Sequence, residues 1–139
     1  MTMAAFRSAT YAVLIAVAIS GCSNNNLQGN PVTLPSGRVV RVLSLSPMHY
    51  TSGSPPSLML RYQTDLKVSE KAALRKEADD IWMMLRFDAE RGQYASAIIS
   101  ANEIPRGFIL KNAGGYNFVY QKDKWGFWRC LDDDQAGSK

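Results

Sequence analysis

The strongest constraint on how this chain folds is a single amphipathic run from Ser69 to Arg91. Leu74, Ala78, Ile81, Trp82, Leu85 and Ala89 recur there at steps of three and four residues. That spacing gathers them into one apolar stripe on a helix. Ser69 is positioned to cap its start, Glu70 puts an anion in the first turn where the helix dipole favours one, and Gly92 stands where a left-handed terminator belongs. Charged residues fill much of the remaining surface, while Met83 and Phe87, one turn apart, widen the apolar stripe. A helix of this kind needs a sheet or another helix to cover it, and the rest of the chain offers strands.

Arg38 to Ser46 is β-branched and bounded by Gly37 and Pro47, which suits a first strand. The stretch from Pro47 to Pro56 reads as a loop, because three prolines and a glycine disfavour a regular ladder. Leu58 to Thr64 alternates, with Leu58, Leu60 and Tyr62 on one face and Met59, Arg61 and Gln63 on the other. After the helix, Tyr94 to Asn102 places Ala95, Ala97, Ile99 and Ala101 on one face. Phe108 to Lys111 reads as a short apolar strand, and Asn112 to Gly115 as a turn. Tyr116, Phe118 and Tyr120 alternate with Asn117, Val119 and Gln121, and Lys122 to Lys124 turns the chain into Trp125 to Leu131. The expectation is an α+β domain in the order β-β-α-β-β-β, an antiparallel sheet of about five strands packed against one long helix.

The ends of the chain carry a different signal. Arg7, the apolar stretch Tyr11 to Ile19 and the small residues Ser20 and Gly21 have the architecture of a secretory signal. Its apolar core is shorter than the roughly 20 residues a membrane-spanning helix requires. Ile19-Ser20-Gly21-Cys22 resembles the lipobox of bacterial lipoproteins. The resemblance implies cleavage before Cys22, lipid on its sulfur and acylation of its new amino group. Lipid chains gain about 0.8 kcal/mol per buried methylene, so several together hold a protein firmly on a membrane. Ser23, where an aspartate signals inner-membrane retention in enterobacterial lipoproteins, implies an outer-membrane location facing the periplasm. The expected organisation is a signal peptide over residues 1–21, a flexible tether over 22–37 rich in Asn, Gly, Pro and Ser, a single domain over 38–131 and a polar tail over 132–139.

Cleavage after residue 21 of the 139 leaves one domain with room for a modest core. Sixteen basic and twelve acidic residues give a mild positive excess, interspersed rather than gathered in a stripe, so no nucleic-acid partner is expected. Lipidation of Cys22 would leave Cys130 as the sole remaining thiol, expected to pack in the last strand as a small hydrophobe. His49 is the only histidine, in a proline-rich loop beside Tyr50. One histidine and one thiol are poor material for a metal centre or a catalytic triad. No metal, cofactor or catalytic residue is assigned.

The residues that remain for function are aromatic. Tyr116, Tyr120, Trp125, Phe127 and Trp128 lie close together in sequence, and alternation means that Trp125, Phe127 and Trp128 cannot all be buried against one helix. Aromatic side chains flanked by Lys122, Lys124 and Arg129 resemble the anchors of a protein interface. The expected function is a lipid-anchored envelope lipoprotein that binds another envelope protein through this hairpin and the loop holding His49 and Tyr50, in one version as an immunity or inhibitor protein. The alternatives are a peptidoglycan-binding or assembly accessory lipoprotein, and a small periplasmic hydrolase or thiol enzyme using His49 or Cys130.

Overall fold

The computed structural model describes residues 27–107 and 113–132. The secretory segment, Cys22, the expected strand at 108–111 and most of the polar tail lie outside them. Six strands and one helix follow in the order β1 (Asn30–Thr33), β2 (Val39–Met48), β3 (Ser57–Thr64), α1 (Lys71–Arg91), β4 (Ser96–Glu103), β5 (Gly115–Lys122) and β6 (Trp128–Cys130). The strands lie side by side in chain order in one sheet. No described helix is long and apolar enough to cross a membrane.

The sheet is mixed, which corrects the antiparallel expectation. Four neighbouring pairs are antiparallel, but β3 and β4 run parallel, with Leu58 opposite Ala97 and Tyr62 opposite Ala101. The cause is the helix between them. A hairpin reverses the chain, whereas a long helix carries it back along the sheet before the next strand begins, the βαβ arrangement. The helix is therefore the crossover as well as the cover.

A second correction concerns the tether. Asn30–Thr33, within the segment expected to be flexible, pairs with Val39–Val42 as an edge strand. Its own composition carries little strand signal, and its order comes from the neighbour it pairs with. Pro47, expected to end the strand, lies inside β2 opposite Leu58. It is tolerated because β1 stops level with Val42, so that part of β2 has one edge without a strand. Leu43 sits in a bulge between the pairs Val42–Tyr62 and Ser44–Arg61.

Alternation then decides the core. Leu58, Leu60 and Tyr62 of β3, Ala97, Ile99 and Ala101 of β4 and Phe118 and Tyr120 of β5 are buried against Leu74, Ala78, Ile81, Leu85 and Ala89 of α1. Small residues on β4 let the helix lie close. Met83 and Phe87 do not extend the buried stripe: they are 60% and 69% exposed on the outer face of the helix, beside Met84. The ends of the helix also differ from expectation. It begins at Lys71 with no side-chain cap, and the left-handed residue that ends it is Gln93 (φ 57°), since Gly92 keeps a right-handed conformation.

Candidate functional site

The five hairpin aromatics separate into two groups. Tyr120 is buried, Tyr116 and Trp128 are half-buried, and all three share the helix-covered side of the sheet. Trp125 and Phe127, at the turn between β5 and β6, are 72% and 68% exposed.

The first group builds a cleft between α1 and the edge formed by β5 and β6. Trp82 of the helix stacks on Tyr120, with centroids 4.5 Å apart and planes 11° from parallel, and meets Trp128 edge-on at 4.9 Å. Polar contacts lock each ring. The Tyr120 hydroxyl donates to Asp79 Oδ1 at 2.8 Å, and Arg75 Nε donates to the same oxygen at 2.9 Å. Trp128 Nε1 donates to Glu90 Oε1 at 2.6 Å, and Lys122 Nζ donates to Glu90 Oε2 at 2.8 Å. The Lys122 and Trp128 bonds hold the Glu90 carboxyl below its ordinary value. Burial and the bond to Asp79 push the Tyr120 phenol well above its own, so it stays a donor at neutral pH. Arg75, Asp79, Trp82, Tyr120 and Trp128, with Arg129 and the buried Cys130, line a space of about 420 Å³. Tyr116 lies further along β5, where its hydroxyl donates to Asp132 at 2.8 Å.

The second group is displayed rather than packed. Asp123 Oδ1 accepts from the backbone N–H of Trp125 at 2.8 Å and of Phe127 at 3.0 Å, and Arg129 Nε lies 3.3 Å from Asp123 Oδ2. Backbone bonds from Asp123 to Phe127 and from Gly126 to Asp123 close the turn, and Gly126 adopts φ 85°. The backbone bonds from Phe127 and Trp125, with the Arg129 charge, hold the Asp123 carboxyl below its usual range. Lys124 Nζ lies 4.9 Å from the Trp125 ring. Two large apolar side chains are thus carried into solvent on a turn whose backbone is fixed by hydrogen bonds.

His49 and Tyr50 lie in the connection between β2 and β3, both exposed. Tyr50 shares a hydrogen bond with Ser57 Oγ, which shares another with Ser96 Oγ. Strand register puts this loop and the β5–β6 turn at the same end of the sheet, since Ser57 aligns with Ser96 and Ser96 with Gln121. They are separated across its width, so the two sets of candidates share an end without forming one site. Among the described residues, no group of three or more His, Cys, Asp or Glu side chains is placed to hold a metal ion.

One buried charged residue was missed in the sequence. Glu77 is 1% exposed in the middle of the helix's buried stripe, where Arg38 Nε donates to its Oε2 at 2.9 Å. Arg38 also reaches Asp65 at 2.6 Å. Burial and the Glu77 charge raise the Tyr62 phenol well above its ordinary value. The available signal was position: residue 77 lies three after Leu74 and four before Ile81, on the stripe itself.

Comparison with family models, curated proteins and solved structures finds no match to this chain.

Proposed function

We propose that this protein is a lipid-anchored bacterial envelope protein, held through Cys22 and facing the periplasm, that works as a non-enzymatic binding module for another envelope protein. The observation that supports this reading is the exposure of Trp125 and Phe127 on a turn fixed by Asp123. Interface affinity concentrates in a few large aromatic side chains that fill pockets on a partner, and little ordering entropy is lost when they are already held in place. The exposed row of Met83, Met84 and Phe87 on the outer helix face adds adaptable apolar surface. Neutralisation of a toxic periplasmic enzyme is one concrete form of such binding.

The test is affinity capture of partners from envelope extract with the full chain, followed by titration of the captured protein. Trp125→Ala and Phe127→Ala are each expected to weaken binding at least 10-fold, the scale of an interface anchor. Unchanged affinity in both would remove the turn from the reading.

The cleft supports a second reading, a peptidoglycan-binding accessory. Its two indole rings beside Arg75 and Asp79 suit a sugar ring carrying polar substituents. Sedimentation with purified cell wall, lost in Trp82→Ala but kept in Trp125→Ala, would favour it.

A further inference from the structure

The helix covers one face of the sheet, and no described element covers the other. The two faces differ in charge. Arg41, Arg61 and Arg129 occupy open-face positions on β2, β3 and β6, since Arg41 aligns with Gln63, Arg61 with Ser44 and Arg129 with Gln121. The single carboxylate in the six strands, Glu103, aligns with Thr64 on the helix-side register. Lys122, the remaining strand cation, also lies on the helix side, bound to Glu90. The open face therefore carries Arg41 and Arg61 with no strand carboxylate beside them, while Arg129 at the edge is paired with Asp123 of the β5–β6 turn. Between them stand short donors and acceptors such as Ser44, Ser46, Asn117 and Gln121.

The chain enters the domain on this same face. The Gln28 N–H donates to Gln63 Oε1 at 2.9 Å, and Arg41 Nη1 donates to the Gly29 carbonyl at 3.2 Å. Gly29 takes φ 84° to turn into β1, and a β-carbon there would collide with the Val42 carbonyl. From Gln28 back to Cys22 is six residues. Fully extended, they reach about 20 Å at most. A lipid on Cys22 would keep Gln28, where the chain meets the open face, within that distance of the bilayer, inside the range over which anionic headgroups attract basic side chains at low salt.

We propose that the open face of the sheet docks on the anionic phospholipid surface of the membrane that carries the anchor, with Arg41 and Arg61 on lipid phosphates. The guanidinium fork matches phosphate oxygens in two-point contact. The inference rests on the lipid-anchor reading. It leaves the outer helix face turned away from the membrane and open to a protein partner.

The test uses the purified lipidated chain reconstituted in vesicles of phosphatidylglycerol or of phosphatidylcholine. A fluorescent label is placed through Asn117→Cys on the open face or Lys76→Cys on the exposed side of the helix. Cys130 is buried and Cys22 is consumed by lipid, so the new thiol is the one that reacts. In phosphatidylglycerol, the open-face label should become about 10-fold less accessible to an aqueous quencher, while the helix label stays accessible. High salt should reverse the protection. Arg41→Gln and Arg61→Gln should each lower the docked-to-undocked ratio about fivefold, following the attraction of one basic residue to an anionic surface. Arg61 is exposed, so its variant folds even if that of Arg41 does not.

Mass spectrometry of the N-terminal peptide separates the two readings. An unmodified Cys22 removes the lipid-anchor reading and this inference with it. A lipidated Cys22 with equal quenching at both positions overturns the docking alone. Protection of the open-face label in native envelopes but not in vesicles overturns it in favour of a protein on that face.

Discussion

The two faces of the sheet are made by the same strands, yet they do opposite work. On β3, Leu58, Leu60 and Tyr62 are 5%, 8% and 0% exposed beneath the helix, whereas Arg61 between them stands in solvent. On β4, Ile99 is fully buried and its neighbour Ile98 only half so. A strand sends successive side chains to opposite sides, so one residue of register separates a stability position from a surface position. The covered face holds the fold together, and the open face is free to meet something else. The sharpest way to break this comparison is to truncate the neighbours. Ile99→Ala should cost about 4 kcal/mol in urea unfolding, through lost burial and the cavity left behind. Ile98→Ala should cost about 1 kcal/mol. Equal costs would mean that the open face is as densely covered as the other.

The covered face is not uniformly apolar, and its weak point is Glu77. A carboxylate buried among Leu74, Ala78 and Ile81 depends on Arg38 from the β1–β2 turn. Removing one partner of such a pair leaves an uncompensated buried charge, which costs more than the pair contributes. Arg38→Ala should therefore destabilise the protein by about 3 kcal/mol. The double variant Arg38→Met with Glu77→Leu should recover most of that loss, because an apolar pair needs no desolvation offset. If the double variant is no more stable than Arg38→Ala, the loss does not come from an uncompensated buried charge.

The division between faces was legible in the sequence, and the reason is local. Alternation in residues 58–64 and 116–121 and the stripe of Leu74, Ala78, Ile81, Leu85 and Ala89 depend only on neighbours in the chain, and each side chain went where its period sends it. Features decided by distant partners were not legible. The parallel pairing of β3 with β4 depends on where the helix delivers the chain, and β1 exists because β2 offers it an edge. Gln93 rather than Gly92 takes the left-handed position, though glycine adopts it at lower cost. At the candidate site, the clustering of aromatics was visible. Their sorting into a packed group with Trp82 and a displayed pair was not, because it turns on the partners that Asp79, Glu90 and Asp123 supply from other positions.

That sorting is itself open to test. Trp128 lies against Trp82 with its indole N–H on Glu90, so Trp128→Ala removes both an aromatic contact and a charge-assisted hydrogen bond. It should lower stability by about 2 kcal/mol, less than a fully buried tryptophan would. Trp125→Ala should stay within about 0.5 kcal/mol of the parent in the same unfolding experiment. A loss of binding in Trp125→Ala would then report on contact, whereas the same loss in Trp128→Ala would be confounded by the fold. Should Trp125→Ala prove as destabilising as Trp128→Ala, the turn would belong to the packed group.

The smallest effect sharpens what keeps that turn in place. The backbone N–H groups of Phe127 and Trp125, with the Arg129 guanidinium, favour the ionised form of Asp123 and depress its folded pKa below the ordinary 3.8. A carboxyl whose pKa is lower in the folded protein contributes stability that is complete above the ordinary value and is lost as pH falls through the folded one. The turn should therefore keep its geometry throughout the neutral and mildly acidic range and loosen only in strong acid. The backbone amide proton shifts of Trp125 and Phe127, followed by NMR as pH is lowered, should titrate together with a midpoint below 3.8. In Asp123→Asn, which keeps an acceptor oxygen but no charge, the acid transition should vanish while both amides remain bonded at neutral pH. A midpoint at or above 3.8 in the parent would mean that these bonds do not hold the carboxylate, and that Trp125 and Phe127 owe their exposed pose to the backbone bonds of the turn alone.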